Sequence, residues 1–214
     1  MMKNIKHVIW DWNGTLVDDA WLFVELMNDE LNKRNLTKIN VNDYRKNFTF
    51  PVKKYYENLG FDFKVESFKR VGRDFINNFK QRNLEPDLFR NVIHILKWLK
   101  RNNFSQSILS AQENSILNKT VPHYKIDHYF DSIAGIKNIY ANNKIDIAIE
   151  ERNKINLNDD EILIIGDSSH DFEISKLLNI NCILFSNGHY SKNRLIKNNC
   201  LIINDHLELK SILG

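Results

Sequence analysis

Short apolar runs, each stopping at a polar residue or tight turn, recur along this chain and constrain its fold more than any other feature. IKHVIW (residues 5–10), SQSILS (105–110), FDSIAGI (130–136), EILIIG (161–166), NCILF (181–185) and CLII (200–203) are rich in β-branched residues and too short for helices. Between them lie segments with helical spacing. Val92, Ile95, Leu96 and Leu99 share one face of residues 90–102, and Ile145, Ala148 and Ile149 do so in a segment beginning near Asn143. Strands alternating with amphipathic helices predict an α/β fold built on a parallel sheet. In such sheets ligands sit beyond the carboxyl ends of the strands, so the residues that close each run are where chemistry is expected.

One stretch breaks the alternation. From about Asp19 to about Leu84 only helical pattern is visible: residues 20–34 with Phe23, Met27 and Leu31 in register, a short helix opening at Pro51, and residues 66–82 with Phe68, Val71, Phe75 and Phe79 on one face. This predicts a helical insertion of residues 19–84 in a core formed by 1–18 and 85–214. At 214 residues, 43% of them hydrophobic, the chain can bury such a core without disulfides, and disorder is excluded. Thirty basic and 27 acidic residues are mixed along the sequence, which disfavours nucleic acid as a partner. Cys182 and Cys200 fall in runs that read as buried strands, without metal-ligand spacing. The N-terminal apolar run breaks at Asp11, too soon for a secretory signal, and no stretch approaches the roughly 18 apolar residues of a membrane span. The expectation is a soluble cytoplasmic protein, either monomer or dimer.

Four polar groups close or follow the strands: Asp11, Ser110, Asp167, and Lys144 at the start of the helix after the third run. Each alone is ordinary, since Asp and Ser often cap helices and an early Lys is usually solvated. If the strands are neighbours, the four converge. Two carboxylates make a hard oxygen site suited to magnesium, while a hydroxyl and an ammonium suit a phosphate. Gly14 and Thr15 add a turn whose backbone N–H groups can face an anion.

DWNGTLVDD (11–19) resembles the first motif of the haloacid dehalogenase superfamily, DxDGT followed by an apolar residue. ILSAQ (108–112) resembles the second motif, Lys144 stands where the third has its lysine, and IIGDSSHD (164–171) resembles the fourth, GDxxxD. FSNGHYSKNRL (185–195) is similar to the segment that follows in phosphoglycolate phosphatase-like members. The resemblance implies a Rossmann-like three-layer core with the insertion acting as a helical cap. It also implies a magnesium-dependent phosphatase for a small phosphorylated metabolite, working through an aspartyl-phosphate. Asp11 would be the nucleophile. Asp11, Asp167, Asp171 and the backbone carbonyl of Asn13 would hold or orient the metal, and Gly14, Thr15, Ser110, Ala111 and Lys144 would surround the phosphoryl group.

Asn13 departs from the pattern. The family's phosphatases carry a second Asp there, which protonates the leaving group, whereas an amide cannot surrender and reclaim a proton near neutral pH. The loss of general acid–base catalysis is worth ~10² to 10⁴ in rate. A good leaving group or another donor could compensate, with His170, His189, Asp18 and Asp19 nearby in the sequence. The alternatives are a phosphonate or haloacid hydrolase, whose chemistry needs no such Asp, and a protein that binds a phosphorylated ligand without turning it over. Elsewhere, Ser169, His170 and Asp171 are adjacent and point apart, which disfavours a serine triad, and the seven histidines show no HxxxH pair. Trp10 is expected in the core, Trp12 at the pocket or insertion, and Lys53 and Lys54 on a solvated face.

Overall fold

The structure, a computed structural model, describes residues 2, 4–137 and 144–214. Six strands form one sheet in the order β3-β2-β1-β4-β5-β6, with every neighbouring pair parallel. They are β1 (His7–Trp10), β2 (Ser105–Glu113), β3 (Ser132–Ile136), β4 (Ile162–Gly166), β5 (Asn181–Phe185) and β6 (Leu201–Ile203). Parallel strands need helical crossovers, and these cover both faces of the sheet. Strand alternation divides β1 between the two sides: Val8 and Trp10 join one apolar cluster and Ile9 the other. Helices α5 (Val92–Arg101), α6 (Asn114–His123) and α10 (Leu209–Leu213) supply the first cluster. Helices α7 (Lys144–Lys154), α8 (Ser169–Leu177) and α9 (Lys192–Leu195) supply the second. The result is the three-layer, Rossmann-like α/β arrangement.

Between β1 and α5 the chain forms four helices: α1 (Ala20–Asn32), α2 (Val41–Asn47), α3 (Val52–Asn58) and α4 (Phe68–Arg82). They bury a third cluster, in which Met27 and Leu31 meet Val71, Phe75 and Phe79. Phe48 touches both this cluster and the α7–α9 side of the sheet. Helix α2 has no counterpart in the periodicity reading, because only Tyr44 of its seven residues is buried. Its signal is instead the cap: the Asn40 side chain accepts from the Asp43 N–H at 2.9 Å. Pro51 lies one residue earlier than expected, capping α3 rather than occupying its first turn.

Three further expectations are corrected. The inward face of α7 is Lys144, Ile147, Ala148 and Glu151, while Ile149 is exposed. Apolar spacing does not register a buried charge, and Lys144 turns inward toward two carboxylates. Asn143 lies outside the described residues. Cys200 is only half-buried and precedes β6, an edge strand, whereas Cys182 is buried. Trp12 is neither at the pocket nor against the insertion. It is buried in the α5-side core, its ring 5.8 Å from that of Tyr124. Among the described residues no helix is long and apolar enough to cross a membrane.

His7, at the amino end of β1, bridges Ser105 Oγ at 2.6 Å and Ser107 Oγ at 2.8 Å. Burial pushes its imidazole down to about 4, against weaker upward pulls from Asp131 and Glu151. The unfolded chain therefore binds the extra proton between about 6.5 and about 4. Stability from neutral His7 is complete above that window and is lost as pH falls through it. The stability advantage of the native chain over His7→Gln, from urea unfolding, should shrink by up to ~1.4 kcal/mol per pH unit across the window. A difference independent of pH would contradict this.

Candidate active site

The sheet order places β1 between β2 and β4, so the chain runs from β1 to β2 and β3 on one side and crosses back to β4 on the other, which opens a crevice at the carboxyl end of β1. Trp10 is in register with Ile108 on one side and Ile165 on the other. The residues just beyond these, Asp11, Ser110 and Asp167, consequently share one end of three adjacent strands. All three are buried. Lys144, from the first turn of α7, reaches the same place. Its ammonium pairs with Asp11 Oδ1, and with Asp171 Oδ1 at 2.6 Å. The other oxygen of Asp11 accepts from Thr15 Oγ1 at 3.2 Å. Asp171 Oδ2 accepts from the backbone N–H and hydroxyl of Ser168, at 3.1 and 2.7 Å, closing a capping box at the start of α8.

Burial dominates the electrostatics. It pushes Asp11 up to about 6 although Lys144 and Thr15 pull the other way. It pushes Asp167 up to about 7, against the downward pull of His189 and with Asp11 and Asp171 adding repulsion. Burial would raise Asp171 too, but Lys144 and Ser168 hold it below the usual carboxylate range. Lys144 is also buried, yet the attraction of Asp11 and Asp171 outweighs desolvation and keeps it charged. One ammonium thus faces three carboxylates whose oxygens lie within 4.8 Å of one another. A hard divalent cation fits this donor set, because its charge would offset the burial, and the lesser repulsion, that hold Asp11 and Asp167 high.

The turn after β1 is shaped around these groups. Gly14 has φ +73°, and a Cβ there would run into the Asp167 carboxylate and the His189 ring. Gly188 has the same constraint, since a Cβ would collide with Asp167 and with the Gly14 carbonyl. Asp19 precedes α1 but makes no side-chain cap. Its carboxylate turns back to accept from Asn13 Nδ2 at 2.5 Å and from the Gly14 N–H at 2.9 Å. His189 Nε2 lies 3.0 Å from Asp19 Oδ1, and its Nδ1 lies 2.7 Å from the Tyr44 hydroxyl. The His189 N–H donates to Asp167 Oδ2. Burial opposes charge on His189, but Asp19 more than offsets it, so its affinity for a proton is raised.

Of the four nearby titratable residues, the structure therefore brings Asp19 and His189 to Asn13. Asp18 is part-exposed, and His170 instead approaches Glu173 at 3.4 Å and the Phe50 ring. Lys53 and Lys54 lie at 4.0 and 3.9 Å from Glu57 on an exposed face. Ala111 is exposed beside Ser110, where β2 is interrupted by a register shift against β3.

Sequence reasoning missed the α2 contacts altogether. Arg45 donates to the carbonyls of Gly188 and Asn187 at 2.7 and 2.6 Å, and Arg194 donates to Phe48 O at 2.6 Å. The Arg45 bonds tie the helical insertion to the 186–191 loop that carries His189, and the Arg194 bond ties it to α9. Their carbonyl acceptors leave no signature in side-chain patterns.

Similar folds occur among solved structures. A predicted phosphatase from Clostridium acetobutylicum superposes with a TM-score of 0.82 at 22% identity, covering 97% of this chain and 98% of its own. A predicted phosphoglycolate phosphatase from Haemophilus somnus gives 0.79 at 19% identity, covering 99% of both chains. Protein tyrosine kinase A of Mycobacterium tuberculosis gives 0.83 at 19%, again covering 99% of both. At these identities the likeness establishes the fold alone. No curated protein matches the sequence. The haloacid dehalogenase-like hydrolase family model matches residues 8–185, from the first strand through the fifth, and the chain belongs to that family.

Proposed function

We propose that the protein is a magnesium-dependent phosphatase for a small phosphorylated metabolite, with Asp11 as nucleophile and residues 19–84 as a cap over the site. The observation that carries this reading is the buried Lys144 ammonium between Asp11 and Asp171, with Asp167 beside them. Asp11, Asp167 and the Asn13 backbone carbonyl would hold magnesium, while Asp171 orients Lys144. When bound, the ion would supply charge that offsets repulsion between a carboxylate and a phosphate dianion.

Asp11 Oδ1 attacks phosphorus, the bond to the leaving oxygen breaks, and water then hydrolyses the aspartyl-phosphate. Ser110 and Lys144 are suited to the equatorial oxygens, where charge gathers in the transition state, whereas the N–H groups of Gly14 and Thr15, expected to face an anion, are taken by Asp19 Oδ1 and the Trp12 carbonyl. Thr15 steadies the nucleophile through its hydrogen bond to Asp11. The α2 contacts to the 186–191 loop support the cap reading, since closure there would exclude water from the crevice.

Asn13 sets the rate profile. Its amide is committed to Asp19 and cannot protonate a leaving alkoxide. Turnover is expected with p-nitrophenyl phosphate, whose leaving group hardly needs a proton, and it should stop on chelation. Asp11→Asn should lower it at least about 10³-fold. Metal-independent turnover, or turnover surviving in Asp11→Asn, would contradict the proposal. Phosphate binding without turnover would favour the non-catalytic alternative.

The surroundings of residue 13 also dictate how an acid could be restored. Asn13→Asp alone sets a second carboxylate against Asp19, within the 2.5 Å now spanned by an N–H···O bond. Only the pair Asn13→Asp with Asp19→Asn keeps one donor and one acceptor there. That double variant should speed hydrolysis of an alkyl phosphate by about 10² or more, with a much smaller change for the aryl ester. Equal gains on both esters would argue against the proton-transfer account.

A further inference from the structure

Strand β2 carries two glutamines with opposite fates. Gln106 is fully buried and fully paired: its Oε1 accepts from Trp10 Nε1 at 3.1 Å and its Nε2 donates to Leu96 O at 3.1 Å. Gln112 is 8% exposed, yet among the described residues neither its Oε1 nor its Nε2 has a hydrogen-bond partner, and both atoms are shielded from solvent. Buried amides are ordinarily satisfied as Gln106 is, so an amide denied both water and protein partners is held ready for a third party.

The place of Gln112 identifies that party. Its backbone N–H donates to Ser110 Oγ at 3.0 Å, so it stands one turn from the hydroxyl assigned above to the phosphoryl group. The next residue, Glu113, pairs with Lys80 of α4 at 2.9 Å, which ties this end of β2 to the helical insertion. The backbone of Gln112 therefore runs between the phosphoryl position and the contact with the insertion, on the side where the leaving group of a bound ester would extend.

We propose that Gln112 is a specificity-determining residue that recognises a hydroxyl group on the leaving alcohol of the substrate. The inference rests on the phosphatase reading for the position of the ester. An amide offers one donor and one acceptor, and a hydroxyl can meet both, whereas a carboxylate or phosphate only accepts and an ammonium only donates. The cations at this end are already engaged, Lys80 by Glu113 and Lys144 by Asp11 and Asp171, which disfavours a carboxylated leaving group such as glycolate. Hydroxyl substituents also acidify the leaving alcohol, in keeping with a site in which residue 13 supplies no proton. The substrate class is a polyol or sugar phosphate.

Binding separates this inference from turnover. Calorimetry with magnesium and the Asp11→Asn protein should show glycerol 3-phosphate binding at least about tenfold more tightly than propyl phosphate, which has the same carbon chain without the hydroxyls. In Asp11→Asn with Gln112→Met the two affinities should fall within about twofold of each other. Equal affinities before the Gln112 change, a preference that survives it, or failure of both esters to bind would overturn the assignment. The preference is read first with Gln112 intact, so it does not depend on the double variant folding. If the preference is present but the unmodified protein turns over no p-nitrophenyl phosphate, the phosphatase reading fails and the role of Gln112 in recognition stands.

Discussion

A buried ammonium among three buried carboxylates is the constraint on which the rest of this structure depends. Removing such charges from water is costly, and only close pairing and hydrogen bonding make it tolerable. The protein meets that requirement with parts brought from distant places in the sequence. Asp11 follows β1, Lys144 opens α7, and Asp171 is fixed at the start of α8 by Ser168. Asp167 is pushed up by burial and by its acidic neighbours, and among the described residues His189 offsets this with its charge and its backbone N–H. A site in that condition favours whatever brings positive charge to it, which is why the geometry suits a divalent cation.

The fold serves this arrangement through sheet order. Because β2 and β4 flank β1, three strand ends meet, and the glycines at 14 and 188 let two loops close on Asp167 without side chains intervening. The loop containing Gly188 also meets the helical insertion, through Arg45 and Tyr44. His189 therefore touches the acid cluster with its backbone and α2 with its ring. The insertion and the carboxylates are thus joined through this one residue.

Much of this was legible in the residues. The short strands and their polar ends pointed to a parallel sheet with chemistry at one edge, and the spacing of Val92, Ile95, Leu96 and Leu99 located α5 because all four are fully buried. Reading failed where burial is not apolar. Lys144 and Glu151 occupy the inner face of α7, so hydrophobic periodicity gave the wrong register there. It failed also where a helix is held by one side chain, as α2 is by Tyr44, and where backbone carbonyls take the bonds of Arg45. The pairing of Asn13 with Asp19 is not legible in the same way: both residues stand in one motif, but there Asp19 reads as a possible proton donor, and only the fold shows it as the acceptor for the Asn13 amide.

The most direct test of the account is to ask where phosphorus becomes attached. Protein mixed with magnesium and p-nitrophenyl phosphate, quenched in acid during turnover and digested, should yield a phosphoryl group on the peptide containing Asp11, borne by that side chain and absent when magnesium is chelated. Turnover with the phosphoryl group on another residue such as His189, or with no covalent adduct at any time point, would contradict it.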